Sequence, residues 1–331
     1  MPKAVISGVG HYVPKNVVTN KDLEKRMNTT DEWIQERSGI KQRHYFTSGE
    51  DTVSSMAFEA SKKAITQAEI EKSEIDFIIF ATLSPDYNFP GSGVLLQRHL
   101  GLKGIAALDI RQQCGGFVYA ISIAKLYIEA GTYKNILICG SEIHSNLLDY
   151  SDKGRHISVL FGDGAGAMIL SASEKGKGVM TTKVYSDGDM AEELFCEHPG
   201  SSLEHPFTLE MFENGAFHPH MNGKAVFKIA CTKFPEVINE VTQAEGLSPQ
   251  EIDLLIPHQA NLRIAEFVQK RLGLKDDQVF NNIQKYGNTT AASIPIALSE
   301  AIEEGKLKRG DLLCLAAFGS GFVWGATVIG Y

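Results

Sequence analysis

Runs of β-branched and apolar residues alternate along the chain with longer stretches whose apolar positions recur every three or four residues. This is the pattern of strands alternating with amphipathic helices. Residues 3–7 are predicted as a strand, and Thr29 to Glu32 as the cap of a short helix that closes near Ser38-Gly39. Residues 52–68 are predicted as a helix, 76–82 as a continuous apolar strand, 91–100 as a helix and 105–110 as a strand. An apolar helix follows over 116–130, ended by Gly131, then strands at 135–139 and 166–170. Residues 312–330 are nearly long enough to span a bilayer, but Gly319, Ser320, Gly321 and Gly325 interrupt them. They are predicted as two buried strands joined by a glycine turn. The order implies an α/β fold with its sheets covered on both faces.

The pattern repeats. Glu74-Ile75-Asp76-Phe77-Ile78-Ile79 is echoed 177 residues on by Glu251-Ile252-Asp253-Leu254-Leu255-Ile256. Both follow a helix and a short polar turn. Phe161-Gly162-Asp163-Gly164-Ala165-Gly166 is echoed by Phe318-Gly319-Ser320-Gly321-Phe322, where a glycine turn feeds an apolar strand. Together these favour two similar α/β halves, a duplication of long period. The expected division is residues 1–172, then a linker and looped excursion over 173–222, then residues 223–331. Ser201, Ser202, Pro199, Pro206 and Pro219 mark the excursion, which is most polar over 192–222.

Composition narrows the classes. The chain has 331 residues, 43% hydrophobic and 22% charged, enough to bury a large core without disulfides or structural metals. Forty acidic against 32 basic side chains give a formal charge of −8, which disfavours a dedicated nucleic-acid binder. Five cysteines at irregular spacing, with no C-x-x-C, fit a reducing compartment and a cytoplasmic location. The N-terminal apolar run is too short for a signal peptide, and no membrane association is expected.

Cys114 is the leading chemical candidate. It stands where the strand at 106–110 runs through Arg111-Gln112-Gln113 into an apolar helix. At that turn the helix dipole and unpaired backbone N–H groups favour a thiolate, and Gly115 and Gly116 allow a sharp turn. A small buried core residue is the alternative. Cys139, Cys231 and Cys314 lie in apolar runs that packing explains, and Cys196 lies in the excursion. His258 follows the strand ending at Pro257, at the carboxyl edge where α/β sheets bind ligands; a solvated loop histidine is the alternative. Asn288, in Tyr286-Gly287-Asn288-Thr289-Thr290-Ala291-Ala292-Ser293, is either a turn former or a site amide. Gly162 to Gly166 and Gly8-Val9-Gly10 lack a dinucleotide fingerprint. Cys196, His198, His218 and His220 match no usual zinc spacing, so no metal is expected.

Cys114 at its turn, His258 in H-Q-A-N and Asn288 in Y-G-N-T-T-A-A-S resemble the Cys-His-Asn triad of the β-ketoacyl-acyl carrier protein synthase III family. Residues 30–40 and the two glycine turns are similar to that family's segments, and the resemblance covers nearly the whole chain. It implies a thiolase-like duplicated α/β/α/β/α fold, a homodimer, acyl-CoA as substrate, acyl carrier protein as partner, and no cofactor. It also implies an acyl-Cys114 intermediate, an oxyanion held by the backbone N–H groups of Cys114 and Ser320, and a malonyl group oriented by Phe318. The CoA contacts carried over are Thr29, Trp33, Arg37 and Asn261, with Lys153, Gly154 and Arg155 where the family's second basic adenine contact falls. There the arginine is displaced or replaced by Lys153. Trp33 also suits core packing on its short helix. Phe89 resembles the aromatic that crosses the dimer to close the acyl pocket, which would favour short primers. Lys228, Arg263, Lys270 and Arg271 would form a basic face for the acidic carrier protein, or simply solvated helix faces.

Two departures stand out. His258 lies 144 residues after Cys114, about a dozen more than the family spacing, which places added loop in the excursion. Ser320 stands where glycine is common, so its side chain is expected to crowd the site. Rival readings are a relative with longer-acyl, quinolone-type or ester-forming chemistry, a cysteine hydrolase, and a non-catalytic CoA-binding scaffold.

Overall fold

The protein is described here by a computed structural model that covers residues 1–201 and 207–331. Ser202 and Pro206, two of the residues that mark the excursion, lie outside the described residues.

The first half runs β1 (Lys3–Tyr12), β2 (Asn16–Thr19), α1 (Asn20–Glu24), α2 (Asp31–Ser38), β3 (Gln42–Tyr45), α3 (Val53–Ala68), β4 (Phe77–Ala81), α4 (Ser92–Leu100), β5 (Ala106–Ile110), α5 (Gly116–Glu129), β6 (Asn135–Glu142), α6 (Arg155–Ser158) and β7 (Gly164–Ser173). The second runs β8 (Gly178–Ser186), β9 (Leu194–Phe195), α7 (Leu209–Glu213), β10 (His220–Met221), α8 (Gly223–Gln243), β11 (Leu254–Pro257), α9 (Leu262–Leu272), α10 (Ile283–Tyr286), α11 (Ser293–Glu303), β12 (Leu312–Gly319) and β13 (Val323–Gly330).

The duplication is visible in the strand order. The first sheet is β1-β7-β6-β4-β5 and the second is β11-β12-β13-β8. In each, one strand (β4 or β11) lies parallel to the next (β6 or β12), and two antiparallel strands follow on that side. A single parallel bridge from Leu255 to Val279 stands where β5 stands in the first half. The echoed aspartates do the same work. Asp76 accepts the N–H groups of Lys134 and Asn135 at the start of β6, at 2.8 and 3.2 Å. Asp253 accepts that of Leu312 at the start of β12, at 2.7 Å. Each carboxylate thereby fixes the register of a parallel strand pair.

Three apolar clusters make five layers. Ile78, Phe80 and Ile169 of the first sheet pack against α3 and α4. The inner faces of both sheets close on α5 and α11, through residues such as Phe117, Ile121, Ile294 and Leu298. Phe234, Ile238, Ile264 and Val268 of α8 and α9 cover the outer face of the second sheet. Both central helices are buried, which is why 116–130 lacks a polar face.

The segment 173–222 is not simply linker and excursion. Its first part is β8, paired antiparallel with β13, so the second half opens at Gly178 and the excursion is an insertion between β8 and α8. As a sheet-edge strand only partly buried, β8 keeps Thr181, Thr182 and Lys183. Those polar residues weaken the apolar signal that marks the central strands.

Arg43 on β3 ties the fold together beneath the site. Its side chain is fully buried and donates to Asn20 Oδ1 at 2.7 Å and to the Val159 carbonyl at 2.8 Å. Arg43→Ala is expected to destabilise the protein by about 3 kcal/mol, because it leaves a cavity and strands buried acceptors. Denaturant unfolding should show a lower midpoint at unchanged slope. A loss under about 1 kcal/mol would mean that these bonds add little.

Candidate active site

Cys114 sits on a single 3-10 turn, Gln113–Gly115, between β5 and α5. The sharp turn falls on Gln113, with φ 42°, and not on the two glycines, whose backbones are helical. The glycines serve close packing instead: a Cβ on Gly116 would lie 3.0 Å from the Ala81 Cβ, and one on Gly115 would lie 3.1 Å from Val323. Gly319 is stricter. A Cβ there would come within 2.7 Å of the Cys114 Cβ and 3.1 Å of its sulfur, so any side chain would displace the thiol.

Cys114 is 8% exposed. Burial opposes the thiolate that the turn position favours and pushes the thiol up to about 12, and the Glu142 carboxylate adds to the effect. The backbone N–H groups of Cys114 and Ser320 favour the ionised form and pull the other way without winning. These are the two donors expected to form the oxyanion hole. The Ser320 side chain does not crowd the site; its hydroxyl donates to the Leu194 carbonyl in the excursion.

His258 is buried, with its N–H donated to the Ala316 carbonyl at 2.8 Å. Its Nδ1 lies 2.6 Å from the Ser293 hydroxyl, and its buried Nε2 has no partner among the described residues. Burial holds the ring down to about 3, so it is neutral at physiological pH. Asn288 is also buried, and its Oδ1 accepts the Thr290 N–H at 2.9 Å. That bond fixes the amide orientation and leaves Nδ2 to donate.

Cys114, His258, Asn288 and Phe318 all line one cavity of about 650 Å³, whose other wall carries exposed Arg37, Lys224 and Arg263. A buried reactive end and a polar outer end suit a long thioester whose acyl group must reach a desolvated sulfur. Leu194 and Met221 also line it, so the paired ribbon β9–β10 makes part of the wall.

At the outer end, Trp33 is half-buried between two guanidinium groups, Arg37 at 4.7 Å and Arg155 at 5.2 Å from its ring. The second basic residue beside Trp33 is thus Arg155. Lys153 and Gly154 line a smaller neighbouring pocket. Asn261 caps α9 and donates to the Arg37 carbonyl at 2.8 Å, on the cavity wall. Thr29 is half-buried and does not line the cavity. Arg263 lies over Phe227 at 5.6 Å on the rim. Lys228 is exposed on α8, and Lys270 and Arg271 are exposed in the last turn of α9, away from the lining. Phe89 is 84% exposed and does not enter the cavity of its own chain.

Sequence reasoning did not single out Ser293, Glu142 or Lys224. Ser293 was within reach, since it closes the motif that holds Asn288. Among the described residues no three His, Cys, Asp or Glu side chains gather as metal ligands, and no helix is long and apolar enough to cross a membrane.

A duplicated five-layer fold, with a cysteine from one half and a histidine and an asparagine from the other around one tunnel, defines a thiolase-fold condensing enzyme. The chain belongs to the 3-oxoacyl-[acyl-carrier-protein] synthase III family, whose model matches residues 108–188 and whose C-terminal model matches residues 242–331. It is 44% identical over 326 residues to the β-ketoacyl-[acyl-carrier-protein] synthase III of Aquifex aeolicus, covering 98% of this chain and 99% of that one. The crystal structure of the Aquifex aeolicus 3-oxoacyl-[acyl-carrier-protein] synthase III superposes with a TM-score of 0.91 at 43% identity, over all of both chains. The priming β-ketosynthase of the R1128 polyketide pathway superposes with a TM-score of 0.89 at 28% identity, over 99% of this chain and 96% of that one.

Proposed function

We propose that this enzyme joins a short acyl-CoA primer to malonyl-acyl carrier protein by decarboxylative Claisen condensation, the step that begins fatty acid synthesis. The observation that carries this reading is the convergence of Cys114, neutral His258 and Asn288 on one cavity.

Cys114 attacks the thioester carbonyl, the oxyanion rests on the N–H groups of Cys114 and Ser320, and the thiol proton leaves with CoA as its free thiol. The malonyl thioester then loses CO2. The enolate oxygen takes hydrogen bonds from His258 Nε2 and Asn288 Nδ2, each contributing about 3 kcal/mol. The Ser293 hydroxyl accepts the Gln259 N–H at 3.3 Å, which leaves its own proton for His258 Nδ1. That arrangement puts the ring proton on Nε2, as an enolate partner requires. The carbanion attacks the acyl-Cys114 carbonyl, the 3-oxoacyl chain stays on its carrier, and the released thiolate takes a proton from water. No cofactor is needed.

CoA would enter past Trp33, Arg37 and Arg155, and the carrier protein would dock at Arg263 and Lys224. A cytoplasmic homodimer is part of the proposal. Five free thiols fit a reducing compartment. The free edge of β5, with exposed Leu108, Tyr87 and Phe89 nearby, suits a second copy that receives Phe89 in its acyl pocket.

An acyl-CoA panel with carrier-bound malonate, read by product mass, tests the reading. Acetyl to butyryl primers should outcompete octanoyl by about tenfold or more, and Phe89→Ala should shift the preference toward longer chains. Preference for long primers would favour a secondary-metabolic relative, the reading that the R1128 likeness and the added excursion support. Release of free acid would mark a hydrolase.

A further inference from the structure

His144 follows β6 behind the cavity wall, and the condensation scheme gives it no part. It is buried, and its ring lies 5.0 Å from that of Phe161, which lines the cavity. Its Nε2 lies 2.7 Å from the Thr290 hydroxyl, whichever of the two donates. The Glu142 carboxylate, 3.9 Å from the same nitrogen, is beyond hydrogen-bond reach. Burial holds the ring down to about 4, so it carries no charge at neutral pH. The backbone of His144 is fixed as well. Its N–H donates to Asp163 Oδ1 at 2.7 Å, and Asp163 Oδ2 accepts the Phe46 N–H at 2.8 Å.

Thr290 is where this ring meets the reaction. Its N–H donates to Asn288 Oδ1 at 2.9 Å, the bond that aims the amide. Its carbonyl accepts the N–H of Ser293, whose hydroxyl lies 2.6 Å from His258 Nδ1. One residue thus bonds to the supports of both enolate donors. Thr290 does so at φ 49°, a left-handed backbone that a β-branched residue rarely takes. Such a conformation persists only where the surroundings over-determine it. The backbone of Asn288 is clamped on its own account: its N–H donates to the Leu160 carbonyl at 2.8 Å, and its carbonyl accepts the Gly162 N–H at 3.0 Å. On Thr290 the side-chain restraint is the bond to His144. Packing alone would ask only that a buried hydroxyl find a partner. Here the restrained residue is the one whose N–H and carbonyl lead to Asn288 and to His258.

We propose that His144 is a positioning residue for malonyl decarboxylation: through the Thr290 hydroxyl it holds Thr290 in its left-handed conformation, and so aims the Asn288 amide and seats Ser293 beneath His258. Donors to a developing oxyanion act only when they are already in place, so a small misplacement costs rate and not binding. Cys114 and its oxyanion donors lie outside this relay, so acyl loading is independent of it. The proposal rests on the condensing reading above, and the experiment tells a failure of one from a failure of the other.

Release of labelled CO2 from malonyl-acyl carrier protein is measured beside acyl loading from a short acyl-CoA, in wild type, His144→Leu, His144→Gln, Thr290→Val and the double variant His144→Leu with Thr290→Val. His144→Leu removes the bond without changing charge at neutral pH. Its kcat for CO2 release should fall about tenfold at unchanged KM, while loading stays within about twofold of wild type. His144→Gln, whose amide can reach the same hydroxyl, should recover most of the loss. Thr290→Val keeps the shape and loses the hydroxyl, so it should match His144→Leu. The double variant should be no slower than either single one, because both break the same bond. It leaves no polar partner stranded, and it serves if His144→Leu does not fold. CO2 release at the wild-type rate in His144→Leu or in Thr290→Val overturns the proposal. Equal losses in loading and in CO2 release overturn it too, since they mark support of the fold alone. So does a double variant that shows the product of the two single losses. Absence of CO2 release from wild type would instead sink the condensing reading, and the relay with it.

Discussion

Cys114→Ala is expected to show no added acyl mass after incubation with acyl-CoA, and to lose condensation by a factor on the order of 10⁴ or more. The other thiols offer no substitute. Cys139 and Cys314 are fully buried in the sheets, and Cys196 and Cys231 do not line the cavity. The alanine should leave the fold unchanged, because Cys114 is one small side chain on a turn whose shape depends on Gln113 and Gly319. An acyl adduct persisting on the variant would place the nucleophile elsewhere and undo the mechanism.

His258→Ala and Asn288→Ala should separate the two half-reactions. Each removes a donor to the enolate oxygen and leaves both oxyanion N–H groups in place. Acyl loading should persist, while malonyl decarboxylation falls about 10²- to 10³-fold in each variant. Loading is measured by intact mass, and decarboxylation by release of labelled CO2. The neutrality of His258 bears on this result. A ring held at about 3 by burial gives a hydrogen bond without a competing charge, and the step should show no protonation limb of that ring between pH 5 and 8. If either variant fails to load, the imidazole or the amide also serves the first half-reaction, and the division of labour is wrong.

Much of this was legible in the chain. The echoed Glu-Ile-Asp motifs marked two strands in the same setting because one Asp, one parallel strand and one short turn recur as a unit. Cys114, His258 and Asn288 each stood at the end of a strand or the start of a helix, where α/β sheets present reactive groups. The rest depended on geometry. Burial opposes ionisation of Cys114, and nothing local to Gln113-Cys114-Gly115 reports how deep that turn lies. Arg155 rather than Lys153 meets Trp33 because the short helix α6 turns its first residue toward α2. Glu142 fell beyond the strand predicted at 135–139, and its bonds to Thr82 and Ser84, far off in sequence, were not legible. Strand β8 was missed because an edge strand tolerates threonine and lysine.

The repeat also sets limits on the enzyme as an object. Cys114 leads into α5 and Asn288 leads into α11 at matching stations of the two copies, so the two copies present their site residues to one cavity from equivalent places. The frame is symmetric and the chemistry is not: one copy offers sulfur, the other imidazole and carboxamide. Neither copy could be excised and remain an enzyme, and catalysis reports directly on whether the two are seated together.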